Sequence, residues 1–242
     1  MLPRHLPRFN PRPRIQPVAL PGGREALVID DALENADDLV DLACQYRHLF
    51  EPAAVYAYPG LELWVHEQVL ERITTFFAQH LRQRLGARRT LQASARLSMV
   101  TLPASRLQPR QWFCHTDDAG LPAGEMIAAS VLYLFHDPRL GGTSFYVPRL
   151  SAADTAQLVH DSAQLAPEAF TARWGIEPGY QLGSNRCFEQ VASVPAAWNR
   201  LVFYDGGVFH CSDNAGAPAL SDDPRQGRLT LNGFLRCSRR AS

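Results

Sequence analysis

The hydrophobic period of this chain changes from helical to alternating near Thr90. Up to Leu85 apolar residues recur at helical spacing, and from Leu91 they alternate. Leu91, Ala93, Ala95, Leu97 and Met99 alternate with Gln92, Ser94, Arg96 and Ser98, the pattern of a half-buried strand. Further strand-like segments follow: Met126 to Phe135, Thr143 to Val147, Cys187 to Val194, Trp198 to Tyr204, Val208 to Cys211 and Arg228 to Cys237. Helices first and many short strands afterwards restrict the chain to an α+β, mainly β class, with N-terminal helices packed on one sheet of an antiparallel sandwich or barrel. About seven or eight strands fit a double-stranded β-helix, or jelly roll.

Residues 1–23 hold six prolines and four arginines and read as a flexible, extended arm. The rest, 24–242, reads as a single domain. Glu25 to Asp30 predicts a short buried strand. Asn35 is placed to cap a helix running to about His48, with Leu39, Leu42, Ala43 and Tyr46 on one face. Residues 50–60 predict a loop containing Tyr56 and Tyr58. A longer helix is expected from about Leu61 to Leu85, with Val65, Val69, Ile73, Phe76, Phe77 and Leu81 as its apolar stripe and Gly86 as its stop. His136 to Gly142 predicts the turn of a hairpin between the strands on either side. A helical insertion spans about 150–175, and Ser212 to Gly227 is a surface loop.

Acidic and basic residues balance at 24 each, so no whole-surface attraction to nucleic acid or membrane is expected. All 24 basic residues are Arg, which reads as coding-genome bias. No apolar run has the length of a bilayer span, and the N-terminus lacks the apolar core of a secretory signal. The five cysteines are odd in number and widely spaced, which favours a reducing compartment, and so the cytoplasm, over a disulfide framework.

The chemistry concentrates at Trp112-Phe113-Cys114-His115-Thr116-Asp117-Asp118. If Gln111 to His115 is a strand, His115 and Asp117 point to one side and Asp118 to the other. Cys114 and Cys211 then turn into the core beside the proposed ligands. His210 follows an apolar strand pattern, and Arg228 opens the next. Two histidines and one carboxylate make the facial triad that holds non-haem Fe(II) with positions left open. Arg228 offers a fork for a carboxylate, and Thr230 lies two residues on, on the same face. The remaining histidines have no carboxylate at this spacing on a strand and read as surface, helix or turn residues.

Several segments together resemble the prolyl-4-hydroxylase-like Fe(II)/2-oxoglutarate oxygenases. Val131-Leu132-Tyr133-Leu134 followed by Gly141-Gly142-Thr143-Ser144-Phe145 is similar to that family's strand–turn–strand. Asn199-Arg200-Leu201-Val202-Phe203-Tyr204 before His210 resembles the strand leading to its distal histidine, and Gly227-Arg228-Leu229-Thr230 its closing strand. Ile29-Asp30-Asp31 resembles the entry to such a domain. The resemblance implies His115, Asp117 and His210 as iron ligands, Arg228 as the clamp on 2-oxoglutarate, and Tyr133 as a phenolic donor to the same cosubstrate. Leu102-Pro103 stands near the place where some relatives carry a tyrosine. A carboxylate at 117 speaks against the related halogenases, which give that position to halide.

The expected function is an Fe(II)- and 2-oxoglutarate-dependent dioxygenase that hydroxylates a small molecule, an amino acid or a protein side chain with O2. A homodimer is left open. The alternatives are a jelly-roll binding or regulatory module without turnover, and a cupin-like metalloenzyme that uses no oxo acid. Tyr56 to Pro59, the 150–185 region and the 212–227 loop are the expected walls of the substrate pocket.

Overall fold

In the computed structural model, residues 6–53, 58–214 and 220–240 are described. In chain order the elements are β1 (Ile15–Leu20), β2 (Arg24–Ile29), α1 (Ala36–Gln45), β3 (Glu51–Pro52), β4 (Gly60–Trp64), α2 (Glu67–His80), β5 (Ala87–Val100), β6 (Glu125–Tyr133), β7 (Thr143–Pro148), α3 (Ala152–Gln164), α4 (Pro167–Trp174), β8 (Phe188–Val194), β9 (Leu201–Asp205), β10 (Phe209–Ser212) and β11 (Arg228–Arg239). The class is mixed α and β, dominated by antiparallel sheets. One sheet runs β1-β2-β9-β6-β11-β5-β4-β3, and a smaller one runs β10-β7-β8. Among the described residues no helix is long and apolar enough to cross a membrane.

Side-chain alternation sorts the core into layers. Leu27, Ile29, Leu97, Met99, Leu201, Phe203, Leu229, Leu231 and Leu235 face one way and bury Leu39, Ala43, Val69, Ile73 and Phe77 of α1 and α2. Phe77 and Phe203 stack at 5.5 Å across that boundary. The other face of β2, β6 and β9, with Val28, Ala129, Val202 and Tyr204, packs on Phe145 and Val194 of the small sheet. The far side of the small sheet buries Tyr146 and Phe188 with Leu158 and Phe170 of α3 and α4. Strands β6 and β9 are covered on both faces, which is why they read as unbroken apolar runs. Each fully buried Phe or Leu contributes roughly 1.5–3 kcal/mol.

Local chemistry sets the helix ends. Ser151 Oγ accepts from the Asp154 N–H at 3.1 Å and caps α3. Pro167 opens α4, and Gly175 closes it in the left-handed conformation, φ 62°. The α3–α4 pair occupies the stretch where a helical insertion is expected.

Four expectations are corrected. First, the proline-rich stretch is not a free arm. Phe9 stacks on Phe76 at 4.4 Å, and residues 15–20 pair with β2 in antiparallel register; residues 1–5 lie outside the described residues. Asn35 takes part in this docking. Its side chain makes no cap hydrogen bond to α1 but accepts from the Arg8 N–H at 2.7 Å and donates to Leu6 O at 3.0 Å. The helix it precedes ends at Gln45, short of His48.

Second, no helix begins at Leu61. Residues 60–64 form β4, pairing Leu63 with Leu97, and α2 starts only after His66, whose Nδ1 accepts from the Gln68 N–H at 3.3 Å. Leu61 and Leu63 satisfy a strand period as well as a helical one, and the free edge of β5 decides between them.

Third, β6 and β7 are not a hairpin. Both sides of β6 are taken by β9 and β11, so β7 pairs instead with β8 and β10. The turn between β6 and β7 carries the chain from one sheet to the other.

Fourth, Gln111 to His115 is not a strand. Pro109 to Gln111 makes a single 3-10 turn, and His115 forms one isolated bridge, to His210.

Candidate metal centre

The His-x-Asp segment crosses the end of β10 through its backbone. The His115 N–H donates to His210 O at 3.0 Å, and the His210 N–H returns the bond to His115 O at 2.9 Å. Two residues on, the Asp117 N–H donates to Gly206 O at 2.8 Å. Opposed residues of such a pair project to the same side. A glycine is needed at 206 for this contact: a Cβ there would lie 2.9 Å from Asp117 Cβ and 3.1 Å from its Oδ2. Asp118 turns away, towards Gly207.

Three donor atoms converge as a result. One ligand atom each from His115, Asp117 and His210 lies within 4.8 Å of the others. His210 Nε2 is 3.3 Å from Asp117 Oδ2, and His115 Nε2 is 3.6 Å from Asp117 Oδ1. The first approach lacks hydrogen-bond direction, so buried Oδ2 has no hydrogen-bond partner. His210 Nδ1 lies 2.8 Å from the Val208 carbonyl. That carbonyl can only accept, so Nδ1 carries the proton of the neutral ring and Nε2 turns its lone pair to the centre. A buried carboxylate oxygen without a donor, beside two imidazole nitrogens, suits a divalent cation of the Fe(II) type. A cation satisfies all three donors together.

The electrostatics point the same way. Burial lowers the His210 pKa, but the Asp117 carboxylate and the Val208 carbonyl outweigh it and leave the ring above its ordinary value. His115 is held below its ordinary value, by enclosure first and by the charge of His210 second. Its side chain is 43% exposed, so the enclosure acts on it less than on His210, at 6%. Burial pushes Asp117 up, yet His210 and His115 leave it ionised below the usual carboxylate range.

The proton on His210 therefore competes with a metal. In the metal-free protein the raised pKa stabilises the fold fully below the ordinary histidine value, about 6.5, and that contribution is lost as pH rises through the raised one. Metal binding has the opposite sign: affinity falls as pH falls through the raised value, with one proton released from His210. Calorimetric titration with Mn(II) at two pH values, in buffers of different ionisation enthalpy, measures that proton. A pH-independent affinity between the two would count against the assignment of His210.

The three residues line a cavity of about 400 Å³ together with Arg228, Tyr58 and Arg96. Arg228 is 3% exposed. Its Nε donates to Leu140 O at 3.0 Å and Gly141 O at 3.2 Å, and its Nη2 to Gly142 O at 3.0 Å. Among the described residues no carboxylate forms an ion pair with it; Asp213 feels its charge without contact. The turn between β6 and β7 thus aims a buried guanidinium, clamped by three carbonyls, at the space before the triad. Such a charge calls for an anion.

Gly141 sits at φ 83°, and a Cβ there would run into the backbone carbonyl of Asp213. We expect Gly141→Ala to destabilise the fold by about 2–4 kcal/mol, read by denaturant titration.

The sequence model of DUF6445, a family of unknown function, matches residues 11–235. The chain belongs to DUF6445. No curated protein matches it. Among solved structures, this DUF6445 chain is similar to a Pseudomonas putida prolyl-4-hydroxylase at 19% identity and TM-score 0.41, over 85% of this chain and 88% of that one. It is also similar to SnoN, a non-heme alpha-ketoglutarate-dependent epimerase from nogalamycin biosynthesis, at 12% identity and TM-score 0.48, over 88% and 80%. EvdO2 from Micromonospora carbonacea var. aurantiaca matches at 12% identity and TM-score 0.44, over 90% and 89%.

Within the DUF6445 chain, the expected set His115, Asp117, His210 and Arg228 comes together at one cavity. Tyr133 and Thr230 stand differently. The Tyr133 hydroxyl is fully buried and bonds Thr143 Oγ1 at 2.7 Å, with burial pushing its pKa to about 12. Its ring lies 5.9 Å from the Arg228 guanidinium, so Tyr133 backs the clamp instead of facing the cavity. Thr230 Oγ1 lies 3.4 Å from Ser98 O, behind Tyr58.

Tyr58, in the loop expected as a pocket wall, lines the cavity. Its hydroxyl is buried without a hydrogen-bond partner, and its pKa is pushed to about 12 by burial, with Arg228 pulling the other way. The only sequence signal was its place before Pro59-Gly60. Gly60 lets that turn press on the Met99 carbonyl. Tyr56 and residues 215–219 of the expected pocket walls lie outside the described residues. Cys114 is buried in the core as expected, while Cys211 is part-buried and reaches the cavity wall.

Proposed function

We propose that the chain is an Fe(II)- and 2-oxoglutarate-dependent dioxygenase of the prolyl-4-hydroxylase-like branch, built on a double-stranded β-helix and hydroxylating its substrate. One observation carries the reading. Two imidazoles and an ionised carboxylate without a donor face the same 400 Å³ cavity as a buried guanidinium that lacks an anion. A metal site alone does not require that guanidinium, and an anion site alone does not require the triad.

His115, Asp117 and His210 would hold Fe(II), all three donating from the side of the β10 bridge. Bound Fe(II) with 2-oxoglutarate supplies the activation of O2 that leaves a hydroxylated substrate, succinate and CO2. Arg228 binds the distal carboxylate of 2-oxoglutarate with the donors that the turn carbonyls leave over. The Tyr58 hydroxyl, beside Thr230, supplies a further donor there. Val208 keeps the His210 proton on Nδ1. The apolar layers on either side of the two sheets keep bulk water from all but the open side of the cavity.

The test is succinate formation from 2-oxoglutarate in purified protein, with and without added Fe(II). Uncoupled turnover without substrate is slow in principle, so binding of 2-oxoglutarate to Mn(II)-loaded protein is measured beside it. Absence of both binding and succinate would leave a metal-binding jelly roll without oxo-acid chemistry.

A further inference from the structure

We propose that the cavity wall formed by β4, β5 and β11 is a head-group site for a free amino acid, Glu62 taking the α-ammonium and Arg96 the α-carboxylate. This names the substrate class of the proposed oxygenase and rests on that reading.

Register places the two residues together. Trp64 pairs with Arg96 and Arg96 with Asn232, while Glu62 pairs with Ser98 in the next row. By alternation Asn232 and Phe234 share the face of β11 that carries Arg228. All of Glu62, Arg96, Asn232 and Phe234 line the cavity of the triad.

The Arg96 Nη1 donates to Glu62 Oε2 at 3.0 Å. The two side chains are 24% and 9% exposed, so the ion pair is largely withdrawn from water, which costs desolvation. Burial holds the Glu62 carboxyl above the usual range even beside Arg96. Two rings lie against the guanidinium, Trp64 at 5.2 Å and Phe234 at 4.7 Å. Trp64 itself is 64% exposed, so it gains little from burial and serves chiefly to cover Arg96. A guanidinium donates only along its edge, in one plane. One edge position goes to Glu62, and Arg96 itself lines the cavity. Arg96 also lowers the pKa of Asp117, so its charge reaches the triad.

The third element is Asn232. Its Oδ1 is buried without a hydrogen-bond partner and asks for a donor from an occupant. The occupant must therefore bring a donor to Asn232 and Glu62 and an acceptor to Arg96. A lone anion meets Glu62, and a lone cation meets Arg96. A residue inside a peptide carries neither charge. A zwitterionic head group satisfies all three, and its side chain then extends towards the triad.

The experiment loads the full-length protein with Mn(II) and 2-oxoglutarate under nitrogen. Each of the twenty proteinogenic L-amino acids is titrated by calorimetry, and any that binds is repeated as its N-acetyl and its carboxamide derivative. At least one free amino acid should bind, and each derivative should bind about 10- to 100-fold more weakly. Glu62→Gln should weaken the free amino acid by at least about tenfold and leave the N-acetyl derivative where it was. The proposal is overturned if protein that binds Mn(II) and 2-oxoglutarate takes none of the twenty, or takes the derivatives equally well. If Mn(II) or 2-oxoglutarate itself does not bind, the oxygenase reading has failed first, and the head-group site falls with it.

Discussion

If the chain is the proposed oxygenase, Asp117→Ala should abolish metal binding and succinate formation while leaving the fold in place. Loss of a partner behind a metal ligand already costs 10- to 100-fold, so loss of the ligand should cost more than about 100-fold in affinity. The fold survives because Asp117 holds its segment through the backbone, from its N–H to Gly206 O, and that bond needs no carboxylate. The lost oxygen Oδ2 is buried without a donor, so no hydrogen bond disappears with it. The variant also tests the electrostatics. Without the carboxylate, burial is opposed only by the Val208 carbonyl and the Asp118 charge, and the His210 pKa falls from its raised value. Mn(II) calorimetry and an NMR titration of the His210 ring measure the two effects. Turnover within tenfold of the parent would show that Asp117 is not a ligand.

Arg228→Met has two large effects that separate cleanly. The guanidinium donates to the carbonyls of Leu140, Gly141 and Gly142, and methionine donates to none. Burying carbonyls without donors should destabilise the protein by about 3–5 kcal/mol, read as a shift in the denaturant midpoint at unchanged slope. In the folded fraction, affinity for 2-oxoglutarate should fall by a factor of roughly 100, the worth of about 3 kcal/mol of charged hydrogen bonds. Affinity for Mn(II) without 2-oxoglutarate should hardly move, since Arg228 touches no triad residue. Arg228→Lys keeps the charge but not the fork, so it should restore part of the stability and little of the affinity. Unchanged dependence of turnover on 2-oxoglutarate in Arg228→Met would remove the oxo acid from the proposal.

The residues of the candidate centre were legible because each lies in a segment with a strong local signal. The His-x-Asp pair is visible in any register that keeps two residues on one side, which is why His115 and Asp117 come together although the predicted strand beneath them is absent. A bridge at His115 and a backbone bond from Asp117 to Gly206 do the work of that strand. Tyr133 and Tyr58 come out differently. Tyr133 has the strand position that the resemblance selects, but Thr143 takes its hydroxyl. Tyr58 is expected only as part of a pocket wall, and the turn at Pro59-Gly60 brings it to the cavity that Arg228 lines.

By itself the sequence determined what depends on spacing along one segment: strand against helix over most of the chain, the inward face of β5, and the chemical types of metal and anion donors. Tertiary structure alone decided what depends on free sheet edges and available partners. It docked the proline-rich stretch on α2 and β2, made Leu61 to Trp64 a strand, and sent β7 to the second sheet. The physical reason is that a side chain's period is carried by its own backbone, whereas a strand's hydrogen bonds are completed only by another segment. Which segment is free to complete them is a property of the whole fold.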